Sequence, residues 1–171
     1  CFSSSFFFLI SLLDNSFNVK IRLHTMSVRY DRKIINDIKN KFSKNTNFSF
    51  DDQMNSKESF YNSATMISEW SGAALEFAFS KCAPVIFINS KPKINNKDWN
   101  KIDSPCLEEI IREKIGIIVE EKDISLIPNL ISRLVNENEK WKEQIEKVKN
   151  ETIFNIKNSG KEGTKIILDN I

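Results

Sequence analysis

Residues 65–89 combine a short apolar strand, a turn of small residues, a helix and a second apolar strand. The strands cover residues 65–69 and 84–89, and the helix between them covers residues 71–81. A helix that connects two strands in this way carries the chain back across the sheet, so the two strands run parallel. The unit therefore restricts the chain to folds that are built on a parallel sheet.

Strands and helices alternate along most of the remaining sequence, as the spacing of the apolar residues indicates. Strands are predicted at residues 19–24, 48–50 and 117–119, and helices at residues 2–13, 29–42, 56–64, 105–115, 126–135 and 139–157. This order predicts an α/β fold, with a parallel sheet, helices on both of its faces and a helical C-terminus. We expect residues 19–24, 65–69 and 84–89 to be the central strands of a single domain.

The helix at residues 105–115 has clear sequence boundaries. Pro105 suits the first position of a helix because its backbone φ is already close to the helical value. Gly116 is expected to end the helix. The apolar stripe that should face the core contains Leu107, Ile110, Ile111 and Ile115.

The start of the helix at residues 71–81 is a candidate anion site. Ser71 can cap this helix, since its hydroxyl can accept a hydrogen bond from a first-turn N–H. Gly72 and Ala73 have little or no side chain, so an outside group can approach the remaining N–H donors closely. This place, at the carboxyl end of a strand, is where open α/β sheets bind ligands. An ordinary cap that binds nothing explains the same residues, and the sequence leaves both interpretations open.

The composition argues against several classes of function. The chain has 171 residues and a net charge of +2, so no overall charge draws it to nucleic acid. Three scattered cysteines and one histidine argue against a metal site and fit a reducing cytoplasm. Residues 2–13 are too few to span a bilayer and follow no basic residue, so they predict a buried helix. Because the chain begins with Cys1 inside this apolar run, we expect it to be a fragment.

The central unit also resembles a known family. Residues 67–79 read Ile-Ser-Glu-Trp-Ser-Gly-Ala-Ala-Leu-Glu-Phe-Ala-Phe, and residues 84–88 read Pro-Val-Ile-Phe-Ile. This stretch resembles the CDP-glycerol glycerophosphotransferases, the teichoic-acid-type polymerases, whose pattern is Ser-Asp-aromatic-Ser-(Gly/Ser) before a helix and a strand that begins Pro-Val. Residues 21–25 resemble the family's Arg-Pro-His-Pro strand end, and residues 93–96 resemble its Arg-Lys-(Val/Ile)-Asn-Asn loop. The three matches occur in the family's order.

The resemblance implies a Rossmann-like, donor-nucleotide-binding domain, which is the C-terminal half of a two-domain GT-B transferase. It implies transfer of glycerol phosphate from CDP-glycerol to a polymer or lipid-linked acceptor, in teichoic acid or cell-surface polysaccharide assembly. The implied partners are CDP-glycerol or a related nucleotide-activated donor, the acceptor, and an N-terminal acceptor domain that we expect to be missing. Neither a cofactor nor nucleic acid is implied. The family works in the cytoplasm at the inner face of the cell membrane, and the fragment alone is expected to be inactive.

The motifs of the family correspond to particular residues of this chain. The histidine of the strand end corresponds to His24, the candidate catalytic residue. The Ser-Asp motif corresponds to Ser68, Glu69 and Ser71, which the resemblance places around the donor phosphates. Because His24 and Ser68 both follow strands, we expect them to share one cleft at the same edge of the sheet.

Further candidates lie beside this motif. The backbone of Gly72 and Ala73 belongs to the expected phosphate site. Glu76 can accept a hydrogen bond from a ribose hydroxyl if it faces the cleft, and Lys93 can contact a phosphate. Trp70 can cover a base or ribose. Local hydrogen bonding explains Glu76 equally well, whereas packing is the more common role of an aromatic beside a tight turn and solvent exposure that of a loop lysine.

The sequence departs from the family pattern in three positions. Glu69 stands where aspartate is usual, and Leu23 and Thr25 replace the two prolines beside the histidine. Two alternative functions therefore stay open. One is a GT-B glycosyltransferase that uses a nucleotide sugar, and the other is a non-catalytic relic, or interaction module, of the same fold.

Overall fold

The computed structural model describes residues 2–23, 29, 31–51, 58–91, 94 and 96–170. Its helices are α1 (Phe2–Asp14), α2 (Arg32–Phe42), α3 (Glu58–Asn62), α4 (Gly72–Lys81), α5 (Leu107–Ile115), α6 (Ile127–Asn136), α7 (Asn138–Thr152) and α8 (Ser159–Leu168). Its strands are β1 (Val19–Arg22), β2 (Phe48–Asp51), β3 (Met66–Ser68), β4 (Val85–Asn89) and β5 (Gly116–Glu120). Every pairing between these strands is parallel, so the predicted α/β fold class is confirmed.

Strand β4 is the centre of a three-stranded sheet with the order β3-β4-β5. Successive side chains of a strand point to opposite faces of the sheet. Val85 and Phe87 accordingly pack with α4, α5 and α7, whereas Ile86 packs with α1 and α6. All three side chains are at most 2% exposed. The predicted placement of helices on both faces of the sheet is therefore confirmed for this sheet.

Strands β1 and β2 form a second sheet, and α2 connects one strand to the other. This sheet packs against α1. The prediction of one sheet with residues 19–24, 65–69 and 84–89 as its central strands is therefore wrong for the first two, because β1 lies in another sheet and β3 is an edge strand. It is right for the third, since β4 is central. Val19 of β1 and Ile67 of β3 instead share an apolar cluster with Leu12 of α1. The two sheets meet through these side chains and not through a backbone ladder.

Helix α5 turns a different face to the core from the one that the sequence predicts. Ile111 and Ile115 are buried as expected, but Leu107 and Ile110 are 42% and 50% exposed. Arg112, which is 3% exposed, takes their place on the buried face. The helix also begins two residues later than Pro105, with Cys106 at its N-cap.

The C-terminal part of the chain is helical, as predicted, but it is divided differently. The predicted helix at residues 139–157 ends at Thr152, and α8 forms a separate helix. Helix α7 buries Ile145 and Val148 against α4 and α5, whereas α8 has no buried residue. Within the described residues, no helix combines the length and the apolar character needed to cross a membrane.

We expect Gly116→Ala to lower the free energy of unfolding by about 3 kcal/mol, at the upper end of the usual cost of overpacking. A Cβ atom at residue 116 would lie 1.9 Å from the carbonyl oxygen of Val85, and both residues belong to the β4–β5 ladder. Urea denaturation followed by circular dichroism measures the change. Gly160→Ala is the matched control, because nothing lies within 4 Å of its added Cβ. Equal stability of the two variants would contradict this packing.

Candidate functional site

Three parallel strands end at the same edge of the larger sheet. Strands β3, β4 and β5 end at Ser68, Asn89 and Glu120, respectively. Their polar side chains and the two residues that follow, Glu69 and Ser90, therefore gather at the carboxyl edge, where open α/β sheets bind ligands. The edge contains both hydrogen-bond donors and carboxylates.

Helix α4 begins at this edge with an uncovered first turn. Ser71 is its N-cap, with extended backbone angles (φ −156°, ψ 129°), and its Oγ accepts a hydrogen bond from the Ala73 N–H at 3.3 Å. Gly72 is exposed, and a Cβ added there would have no heavy atom within 4 Å. The first N–H groups of a helix have no acceptor within the helix. In α4 the Ala73 N–H donates to Ser71 Oγ and the Ala74 N–H donates to the Ser71 backbone oxygen at 3.0 Å. The N–H of Gly72 and the positive end of the helix dipole are therefore what the first turn offers to an anion from solvent.

The turn between β3 and α4 is held against the end of β4 by two hydrogen bonds. Trp70 donates its indole Nε1–H to the backbone oxygen of Ser90 at 2.7 Å. The Ser90 hydroxyl donates to Glu69 Oε2 at 3.2 Å. Glu69 and Trp70, which precede Ser71, are thus both hydrogen-bonded to Ser90. These two bonds fix the orientation of Ser71 at the start of α4.

Arg112 lies underneath this turn. Its guanidinium carbon is 4.1 Å from the ring centroid of Trp70 and 5.0 Å from that of Phe87, so the cation lies against two aromatic side chains. It donates to the backbone oxygen of Ile88 and to Asn89 Oδ1, each at 3.3 Å. Its Nε is buried and has no hydrogen-bond partner in the described part of the chain.

The charge of Arg112 is not neutralised by direct contact. Within the described residues, no carboxylate forms an ion pair with its guanidinium. Burial lowers the pKa of Arg112, and the negative charge of Glu120 opposes that shift. Asn89 stands between the two groups, since its Nδ2 donates to Glu120 Oε1 at 2.8 Å. Arginine stays protonated in proteins, so a positive charge remains buried at this edge.

A cavity of about 880 Å³ opens between the two sheets. Its lining includes Ser68 and Glu69 from the end of β3 and Arg22 from the end of β1. Arg22 lies 3.9 Å from Asp51 Oδ2, and the Ser59 hydroxyl donates to the same oxygen at 2.5 Å. The ends of strands from both sheets thus reach one space, which is otherwise lined mainly by apolar side chains.

The structure brings most of the predicted phosphate-binding residues together. Ser68, Glu69, Ser71, Gly72 and Ala73 all lie in the β3–α4 connection or the first turn of α4. Of these, Ser68 and Glu69 line the cavity, whereas Ser71 lies at a small neighbouring recess with Trp70.

Three other predicted residues have different outcomes. Glu76 is exposed on α4 and belongs to the lining of neither the cavity nor the recess. His24 and Lys93 lie outside the described residues, so their roles stay predictions. Trp70 is fixed between Arg112 and Ser90, which favours the packing interpretation of its ring.

The sequence did not identify Arg112 as a site residue. It precedes Ile115 by three positions, so these two residues lie on one face of the helix. That spacing is the signal in the sequence for burial of Arg112. The apolar residues Leu107 and Ile110 favoured burial of a different side of the helix. In the part of the chain that the structure describes, no group of three or more potential ligands is placed to hold a metal ion.

Ser71→Ala should lower the free energy of unfolding by about 1 kcal/mol, because the first turn of α4 loses its cap. Ser71→Asp should retain most of that stability, since a carboxylate also accepts the N–H and interacts favourably with the helix dipole. Ser80→Ala is the matched control in the same helix, where the hydroxyl donates to the Phe77 backbone oxygen. Denaturant titration of the three variants measures the differences. A loss in Ser80→Ala as large as in Ser71→Ala would argue against a specific cap.

Comparison of the chain with protein-family models, with curated proteins and with solved structures finds no match. Its function is therefore inferred from the geometry at the start of α4 and from the resemblance of the sequence motifs around it.

Proposed function

We propose that this chain binds the nucleotide-activated donor of a glycerophosphotransferase that resembles the CDP-glycerol family. The observation that carries the proposal is the uncovered start of α4 at the carboxyl edge of the sheet. There, Ser71 caps the helix and Gly72 leaves space for a close approach to the backbone. A pyrophosphate is the group that such a helix start accommodates in nucleotide-binding α/β folds.

The charge distribution at the edge supports binding of a phosphate group. The dipole of α4 contributes partial positive charge at its first turn. Arg112 adds a full positive charge beneath that turn, without a direct carboxylate partner among the described residues. The nearest carboxylate of the turn, on Glu69, accepts a hydrogen bond from Ser90. The edge therefore has a buried positive charge beneath the start of α4, beside the carboxylates of Glu69, Glu108 and Glu120.

The cavity beside the turn supports binding of the rest of the donor. Its volume of about 880 Å³ lies within the range of small-molecule sites, which is roughly 300–1,000 Å³. The apolar lining suits a pyrimidine ring, and the hydroxyl of Ser68 and the carboxylate of Glu69 can hydrogen-bond ribose or glycerol hydroxyls. In this arrangement, the phosphates lie between the cavity and the start of α4.

The proposed reaction is the transfer of glycerol phosphate. A hydroxyl of a polymer or lipid-linked acceptor attacks the β-phosphorus of CDP-glycerol, the bond to the bridging oxygen breaks, and CMP leaves. This chain would bind the leaving nucleotide and neutralise charge at the pyrophosphate as the bond breaks. His24 is assigned to the same phosphates by the resemblance alone. The acceptor site belongs to the proposed N-terminal domain, and the location is the cytoplasmic face of the membrane.

CDP-glycerol should raise the melting temperature of the protein, because only the folded state forms the site. A ligand at a hundred times its Kd stabilises a protein by about 2.7 kcal/mol. A panel of CDP-glycerol, CDP-ribitol and UDP-glucose, compared by differential scanning fluorimetry, tests the donor class. A shift with UDP-glucose alone would support the glycosyltransferase alternative. The absence of any shift would support the non-catalytic alternative and refute the proposed function.

Gly72→Val should reduce the CDP-induced shift by more than half, because the added side chain blocks approach to the backbone N–H groups. The variant should still fold, since nothing lies within 4 Å of a Cβ at this position. Gly160→Val is the matched control, with equally open surroundings in α8. Each shift is compared with the unliganded melting temperature of the same variant. An unchanged shift in Gly72→Val would place the phosphate elsewhere.

His24→Ala should weaken binding of CDP-glycerol about tenfold, the effect of losing one hydrogen bond to a charged phosphate. Isothermal titration calorimetry measures the affinity, and the unliganded melting temperature reports any effect on folding. Wild-type affinity in this variant would remove His24 from the site without affecting the proposal for the start of α4.

A further inference from the structure

We propose that Arg112 is the positioning residue of the anion site, which orients the turn before α4 and supplies its buried positive charge. This inference rests on the proposed function and adds a residue that the sequence motifs do not include. Arg112 lies on α5, a helix that is separate from the strand–turn–helix unit that it supports.

Contacts of Trp70 connect Arg112 to the turn before α4. The guanidinium of Arg112 lies over the indole at 4.1 Å, and the indole donates its N–H to the Ser90 oxygen at 2.7 Å. Arg112 also donates to the oxygen of Ile88, two residues before Ser90. One cation thus holds both Trp70 and the end of β4. The residue after Trp70 is Ser71, so the position of the helix start follows from that of the indole.

Arg112 carries a buried positive charge that no carboxylate of the described residues contacts directly. A buried charge without a partner is costly, so its retention on the core face of α5 calls for an explanation. Three carboxylates lie nearby, on Glu69, Glu108 and Glu120. Ser90 donates to Glu69, and Asn89 lies between Arg112 and Glu120. An anion at the start of α4 would interact with the positive charge of Arg112 at longer range, in addition to these carboxylates.

The space beside Arg112 is too small for Arg112 to contact a phosphate directly. The recess that Arg112 shares with Ser71 has a volume of only about 10 Å³, the space of one water molecule. A phosphate group does not fit there. Arg112 therefore acts on a phosphate at the helix start through its field and through Trp70. Lysine would retain the charge but not the planar stacking and the forked donors.

Isothermal titration calorimetry with inorganic pyrophosphate tests the charge. Arg112→Met should weaken binding about tenfold, the effect expected for one unit charge at a partly buried site. Arg112→Lys should bind with an affinity between those of wild type and Arg112→Met. Arg133→Met is the matched control, since Arg133 is an exposed helical arginine whose partner is Glu137. Urea denaturation of each variant shows that it is folded.

Hydrogen exchange of the Trp70 indole N–H, followed by NMR, tests the positioning. The exchange should be about tenfold faster in both Arg112→Met and Arg112→Lys, because neither substitution retains the stacked guanidinium. Trp99, which is 54% exposed, provides an unprotected reference. Trp70→Phe keeps Arg112 but loses the hydrogen bond to Ser90, and it should also weaken pyrophosphate binding.

The outcomes distinguish the two proposals. A wild-type protein that binds neither pyrophosphate nor any nucleotide refutes the proposed function, and with it the role of Arg112 at an anion site. A wild-type protein that binds pyrophosphate, with Arg112 variants of equal affinity and unchanged indole exchange, refutes the role of Arg112 alone. Weaker binding together with faster indole exchange supports both proposals.

Discussion

The parallel pairing of β4 with both β3 and β5 is the constraint on which the rest of the structure depends. Its ladders bury Val85, Ile86 and Phe87 almost completely and direct them to alternate faces of the sheet. Each face therefore needs its own layer of helices, and the chain supplies both. The same ladders bring Ser68, Asn89 and the residues after them to one edge. The core and the candidate site are thus two consequences of a single hydrogen-bonding pattern.

The candidate site combines a solvent-exposed helix start with a turn that side-chain contacts hold in place. The first turn of α4 faces solvent, whereas the turn before it is fixed by Trp70, Ser90 and Arg112. Rigid support matters because backbone donors act on an anion only when their directions are already set. Burial of Arg112 in an otherwise apolar face costs stability, and the proposed role at an anion site would account for that cost.

The separation of the two sheets also shapes the site. A continuous sheet would place β1 directly beside β3 and leave no space between them. Side-chain packing among Val19, Ile67 and Leu12 instead joins the sheets beneath a cavity that both strand ends reach. This space is large enough for a nucleoside, and it adjoins the start of α4 through Ser68 and Glu69. The departure from a single sheet therefore supports the proposed binding of a nucleotide.

The sequence alone determined those helices and strands whose formation depends on residues close together in the chain. Period-two alternation, helical spacing and the Ser71 cap are local properties, and they predicted every described strand and the start of α4. The division into two sheets, the exposed side of α5 and the burial of Arg112 were decided only by the tertiary structure. Leu107 and Arg112 lie on opposite sides of the stripe that Ile111 and Ile115 form, and local spacing cannot say which side is buried against Trp70. That choice depends on packing between segments that lie far apart in the chain, where the contacts of the indole and of the end of β4 stabilise the guanidinium.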